Sequence, residues 1–102
     1  MREQASRELD DCVEYIAGDS IDNAIRLFDA AKATFEDLAD SPGLGRSYPS
    51  NVAGLAGLRK WNIPGFQDFL VFYLVFEDRV EIVRVIHGAR NLPDELNNTE
   101  MP

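Results

Sequence analysis

One histidine and a few arginines are the side chains in this sequence whose chemistry could reach beyond packing. His87 is the only histidine among 102 residues. It stands in "VEIVRVIHGARN", residues 80–91, between Arg84 and Arg90, with Arg59 as a further cation upstream. Cutting RNA within its own backbone needs a base for the 2′-hydroxyl, an acid for the leaving oxygen and cations around the phosphorane. An imidazole titrates near neutrality and can serve as either proton-transfer group, while Arg59, Arg84 and Arg90 can supply charge. A second proton-transfer group is harder to find. The stretch from Leu44 to Gln67 holds Arg46, Arg59 and Lys60, but no carboxylate and no histidine. A strand-end histidine bonded to a carbonyl, or used as a binding contact, accounts for His87 with less machinery. No catalytic residue is assigned, and the "IHGAR" ending reads as part of a recognition surface.

The acidic residues give no metal site. Asp10, Asp11 and Glu14 lie close in sequence, as do Asp37 and Asp40, but a hard cation needs several oxygens converging on one point. These carboxylates fall on the outer stripe of amphipathic helices, where a solvated face is the expected role. The single cysteine, Cys12, rules out an internal disulfide framework and a multi-cysteine zinc site. It sits in an apolar stripe and is expected in the core. No cofactor is implied.

Two helices and three strands must position these groups. Ala5, Leu9, Cys12, Val13 and Ile16 recur at helical spacing, with Arg7, Asp10, Asp11 and Glu14 opposite. Gly18 is expected to end that helix in a left-handed cap, and Asp19 or Ser20 to cap the next. Ala24, Leu27, Phe28, Ala31, Phe35 and Leu38 line one side of the second helix, which should end near Ser41 because Pro42 disfavours helical geometry before it. "SPGLGRSYPSNVAGLAG" reads as a loop. "LRKWNI" follows as a strand, with Arg59, Trp61 and Ile63 on one face and Leu58 and Lys60 on the other. Pro64 and Gly65 turn the chain. "DFLVFYLVF" is apolar on both faces, as a covered central strand should be, and "VEIVRVIH" returns antiparallel. "LPDEL" begins a last helical turn and "NNTEMP" is expected to fray. The fold class is thus α+β, an antiparallel helical hairpin packed on a three-stranded antiparallel sheet. It forms one domain over 1–102: hairpin 1–40, loop 41–57, strands 58–88, tail 89–102.

Composition supports a folded domain and disfavours polyanion binding. Hydrophobic residues make up 45% and aromatic residues 10% of the chain, enough for a core. The longest apolar run is too short to span a bilayer, and no signal-peptide pattern opens the sequence, so a cytoplasmic protein is expected. The net charge is −8. Residues 1–40 carry four basic and eleven acidic side chains, against six and seven in residues 41–102. The acidic first half should repel nucleic acid, which is bound largely through its phosphates.

Several short motifs occur together and in order. An alanine and a leucine in the first helix lead to "YIA" (Tyr15, Ile16, Ala17), and a "P-x-L-G" turn follows the second helix (Pro42, Leu44, Gly45). Then come "G-L-R" (Gly57, Leu58, Arg59), an aromatic strand with a tyrosine near its end (Tyr73), and "R-V-I-H-G-A-R" (Arg84 to Arg90). Taken together the sequence resembles the RelE/ParE superfamily of toxins from bacterial type II toxin–antitoxin modules, on its ParE side. The resemblance implies a non-enzymatic toxin, a role in plasmid stabilisation, a target protein, usually DNA gyrase, and neutralisation by a cognate ParD-like antitoxin. Oligomers are expected only with that antitoxin.

The departures from the family pattern shape the remaining expectations. Members usually begin with a strand before the first helix, whereas "MREQAS" has no alternating apolar pattern. That strand is expected to be missing, with its place at the sheet edge bare or filled by a partner. In members that cut messenger RNA, an arginine commonly follows the strand tyrosine; here Leu74 follows Tyr73. The alternatives are a RelE-like ribosome-dependent endoribonuclease using His87, Arg90 and Arg59, and a degenerate member that only binds an antitoxin. The expected partner-binding residues are Arg59, Lys60, Trp61, Phe66, Phe69, Arg84, His87 and Arg90. Part of the apolar surface of "DFLVFYLVF" is expected to meet a second protein.

Overall fold

In a computed structural model that describes residues 1–101, the helical periodicities become α1 (Glu3–Ala17) and α2 (Ile21–Asp40). Ser20 opens α2: its backbone is extended and its Oγ accepts from the Asn23 N–H at 3.2 Å, satisfying a donor that the first turn leaves free. Gly18 does not take the expected left-handed cap. At φ −59° and ψ −31° it prolongs the helical turn, and the break falls at Ser20 instead. In α2 the residues Ala24, Leu27, Ala31, Thr34 and Leu38 are buried, a stripe with steps of three and four. Phe28 lies one position off that stripe. Contrary to expectation it is 40% exposed, with Lys32 Nζ 5.4 Å from its ring centroid.

The sheet has one strand more than expected. Its order is β1 (Arg46–Ser47), β2 (Arg59–Ile63), β3 (Phe66–Val75), β4 (Val80–His87), all neighbours antiparallel. The extra strand, β1, is two residues inside the expected loop, and pairs Arg46 with Lys60 and Ser47 with Arg59. The side chains of β3 alternate between two cores. Phe69, Val71 and Tyr73 join Ile63, Ile82, Val85 and the inner faces of α1 and α2. Leu70, Phe72 and Leu74 join Leu55, Leu58, Val83, Ile86 and Leu96.

That second core takes up most of the apolar surface of "DFLVFYLVF", part of which was expected to meet a second protein; Val75 and Phe76, 44% and 40% exposed, are what it leaves open. The loop after β1 folds back over the far face of β3 with Tyr48, Val52 and Leu55, and α3 (Leu92–Asn97) covers the rest with Leu92 and Leu96. Two glycines let the loop do so: Gly54 and Gly57 have φ of +84° and +81°, values costly for any residue with a Cβ. From residue 69 to residue 74, all buried, both faces of β3 are therefore filled by the chain itself.

The bare or partner-filled sheet edge is likewise not what the structure has. No strand precedes α1 among the described residues, but the outer edge of β4 is engaged. The Arg2 N–H donates to the Ile82 carbonyl at 2.9 Å, and the Val85 N–H donates to Glu8 Oε1 at 3.2 Å. A helix laid along an edge removes the template for strand addition. Of the end expected to fray, residues 98–100 are held, and Pro102 lies outside the described residues. The Glu100 N–H donates to Gln4 Oε1 at 2.7 Å, and Gln4 Nε2 donates to the Asn98 carbonyl at 3.1 Å, fixing residues 98–100 on α1. Among the described residues no helix is long and apolar enough to cross a membrane.

Three of the short motifs meet in one place. Tyr73 is fully buried, and its hydroxyl donates to the Pro42 carbonyl at 2.7 Å and accepts from the Gly45 N–H at 2.8 Å. The Arg59 guanidinium donates to the Gly45 carbonyl at 2.6 Å. The "P-x-L-G" turn, the "G-L-R" arginine and the strand tyrosine thus form one hydrogen-bonded knot tying the end of α2 to β2 and β3.

Candidate partner-binding surface

The eight residues expected to face a partner do not form one surface. Phe69 is 6% exposed and lies in the core under the helices, its ring edge-on to Phe66 at 6.5 Å and to His87 at 5.2 Å between centroids. Arg84 is 2% exposed. Both belong to the chain's own packing, and the expected surface loses them. Trp61 and Phe66 are half-buried against the helix-side core. Arg59 spends one arm on the Gly45 carbonyl. Lys60, His87 and Arg90 keep accessible surface.

Arg84 is the centre of a buried ion-pair network. Its Nε donates to Glu8 Oε1 at 2.9 Å and one terminal nitrogen to Glu8 Oε2 at 2.7 Å, a two-pronged grip on the carboxylate. The same nitrogen reaches Glu95 Oε1 at 3.2 Å, while the other donates to the Glu95 carbonyl and to Thr99 Oγ1. Burial pulls the arginine's pKa down, and the hydrogen bonds and charges of Glu8 and Glu95 more than offset it, so the pKa is raised and the cation held. One side chain of β4 thereby joins α1, on one face of the sheet, to α3, on the other. Sequence reasoning missed Glu8. The signal was its place three residues after Ala5 and four before Cys12, on the flank of the inward stripe, where a carboxylate demands a cation.

His87 opens onto a groove of about 430 Å³ between α1 and the end of β4, shared with Glu8, Asp11, Cys12, Tyr15 and Arg90. Its Nδ1 accepts from the Ala89 N–H at 3.1 Å, leaving Nε2 to carry the proton of the neutral ring. Gly88 follows so tightly that its N–H donates to the Asp68 carbonyl at 2.6 Å. Cys12 is a poor nucleophile here. Burial first, and then the Glu8 carboxylate, push its thiol up to about 11, so it stays protonated at neutral pH. The groove's charges do not suit a phosphate. Glu8 and Asp11 line it, and Arg90, its one exposed cation, stands 3.7 Å from Glu95 Oε1.

A second groove, of about 340 Å³, lies on the other side of the sheet's span, lined by Arg46, Lys60, Trp61, Asn62, Pro64 and Gln67. It contains the expected Lys60 and Trp61 and adds Arg46, Asn62 and Gln67, which sequence reasoning did not single out. Their only sequence signal was membership of the acid-free stretch. The fold thus offers two separated surfaces, one mixed in charge and one basic.

A family model described as the ParE toxin of the type II toxin–antitoxin system parDE matches residues 1–92, from the start of the chain through all four strands to the first residue of α3. No curated protein matches the chain.

Proposed function

The chain belongs to the ParE toxin family of type II toxin–antitoxin systems, and on that premise we propose that it acts by binding a target protein, DNA gyrase, and not by cutting RNA. A cognate ParD-like antitoxin neutralises it by binding the same chain. The cell compartment in this reading is the cytoplasm, where gyrase works. Arg59, Lys60, Trp61, Phe66, His87 and Arg90 are the partner-facing residues that remain.

The observation that carries this reading is where the arginines go. Stabilising a phosphorane needs preorganised cations aimed at it. Arg84 is enclosed by Glu8 and Glu95, Arg59 is held by the Gly45 carbonyl, and Arg90 stands beside Glu95, while the groove next to His87 carries two carboxylates. One observation favours the endoribonuclease reading: His87 shares its groove with Asp11 and Tyr15, proton-transfer groups that the acid-free stretch could not supply.

A supercoiling assay tests the proposal. Purified protein added to gyrase and relaxed plasmid is expected to inhibit supercoiling in proportion to its concentration, and the antitoxin to restore it. Full gyrase activity at a large molar excess of the toxin contradicts gyrase as the target.

A further inference from the structure

We infer that the basic groove beside β2 is a docking site for an acidic, extended peptide segment of a partner protein. The segment's carboxylates reach Arg46 and Lys60, and its backbone runs along the open end of β2.

Charge is the first reason. The protein carries a net −8, yet from Leu44 to Gln67 it has three cations and no acid. Among the described residues neither Arg46 nor Lys60 forms an ion pair. Lys60 instead rests its ammonium 5.5 Å from the Tyr48 ring centroid. An acidic chain that leaves its cations unpaired on one face steers a complementary anion there and repels it elsewhere.

Backbone geometry is the second reason, and it favours peptide over other anions. The Leu58 carbonyl accepts from the Tyr48 N–H at 2.8 Å, on the side of β2 that faces β1. Strand backbone groups alternate sides at each residue, so those of Asn62, four residues on, point the same way. There β1 has already ended, its last pair being Arg46 with Lys60. The N–H and C=O of Asn62 therefore border the groove with no strand beside them, while the Trp61 side chain lines it. Unpaired edge groups next to a pocket for alternate side chains are the elements of strand addition. The other end of the sheet cannot serve, since Arg2 and Glu8 occupy the β4 edge.

The inference rests on the protein-binding reading, but the two are tested apart: supercoiling reads the target, and peptide titration reads the groove alone. Trp61 is the only tryptophan in the chain, so its fluorescence reports the groove directly. The probes are a capped ten-residue peptide of alternating Glu and Thr, the same peptide with Lys for Glu, and a ten-nucleotide oligothymidine, each titrated into the full chain. The Glu peptide is expected to change Trp61 fluorescence saturably, to weaken as salt rises, and to perturb the Asn62 amide in NMR spectra. Arg46→Glu and Lys60→Glu are each expected to weaken it by about tenfold or more, and the milder Arg46→Gln and Lys60→Gln by less, with unfolding midpoints unchanged. No saturable signal overturns the inference. So does equal binding of the Lys peptide, binding indifferent to all four substitutions, or oligothymidine binding as tightly as the Glu peptide, which would make the groove a nucleic-acid surface.

Discussion

Arg84→Ala is expected to lower the unfolding free energy by about 3 kcal/mol or more, the range for removing one partner of a buried ion pair. The substitution leaves the Glu8 carboxylate with only the Val85 N–H as a partner in a site built for a cation. It also strips a donor from the Glu95 carbonyl and from Thr99. The lower part of the range is appropriate because the Glu8 and Glu95 side chains keep 20% and 25% of their surface open to water. Even so, this is a large share of the about 5–15 kcal/mol that holds a typical domain together. Urea denaturation followed by circular dichroism measures it. Arg84→Lys should recover little, since an ammonium cannot grip a carboxylate with two parallel bonds. Pairing Arg84→Met with Glu8→Met should recover much of the loss, because no charge is then left unmatched. A change below about 1 kcal/mol for Arg84→Ala, the scale of a surface pair, would place the network outside the energetics of the fold.

Gly45→Ala is the second large effect, and it tests the motif knot. A Cβ at this position would stand 2.6 Å from Tyr73 Cε1 and closer still to the hydroxyl. The tyrosine ring is fully buried and cannot swing aside cheaply. Overpacking of this kind costs about 1–3 kcal/mol. If the ring does shift, the Gly45 N–H and the Pro42 carbonyl lose their partner, at about 1–3 kcal/mol for a buried polar group left unmade. Tyr73→Phe alone should cost a similar amount through that second route. The two substitutions share one contact, so the double variant is expected to be less destabilised than the sum of the singles. Strict additivity in denaturant titrations would show that Gly45 and Tyr73 do not act on each other.

These two sites explain what could and could not be read from the sequence. The helices were legible because Ala5, Leu9 and Cys12, and then Ala24, Leu27, Ala31 and Leu38, repeat with the helical period. The central strand was legible because its apolar residues fill both phases of a two-residue period. What covers its second face was not. Tyr48, Val52, Leu55 and Leu58 are spaced by four, three and three, but Pro49, Gly54 and Gly57 break any helix there, and the four reach the face because Gly54 and Gly57 bend the loop through positive φ. Arg84 looked like a surface cation because its partner Glu8 is 76 residues away in sequence, and charge matching at that range leaves no periodic trace. The motifs that carried the resemblance were recognisable as a set, but their common work, joining Pro42, Gly45, Arg59 and Tyr73, becomes visible only in three dimensions.

The charged residues of the "RVIHGAR" segment also sort by role once placed. Arg84 braces the layers, Gly88 admits a close backbone contact with Asp68, and His87 and Arg90 are left at the rim of a groove that also carries Asp11. In this account the segment is a structural brace with a binding rim, and no part of it cuts RNA. Primer extension on messenger RNA engaged by translating ribosomes, with purified protein added, tests that claim most directly. No new cleavage site in the ribosomal A site is expected, and no difference between the unmodified protein and His87→Ala. A-site cleavage by the unmodified protein that disappears with His87→Ala would contradict the claim.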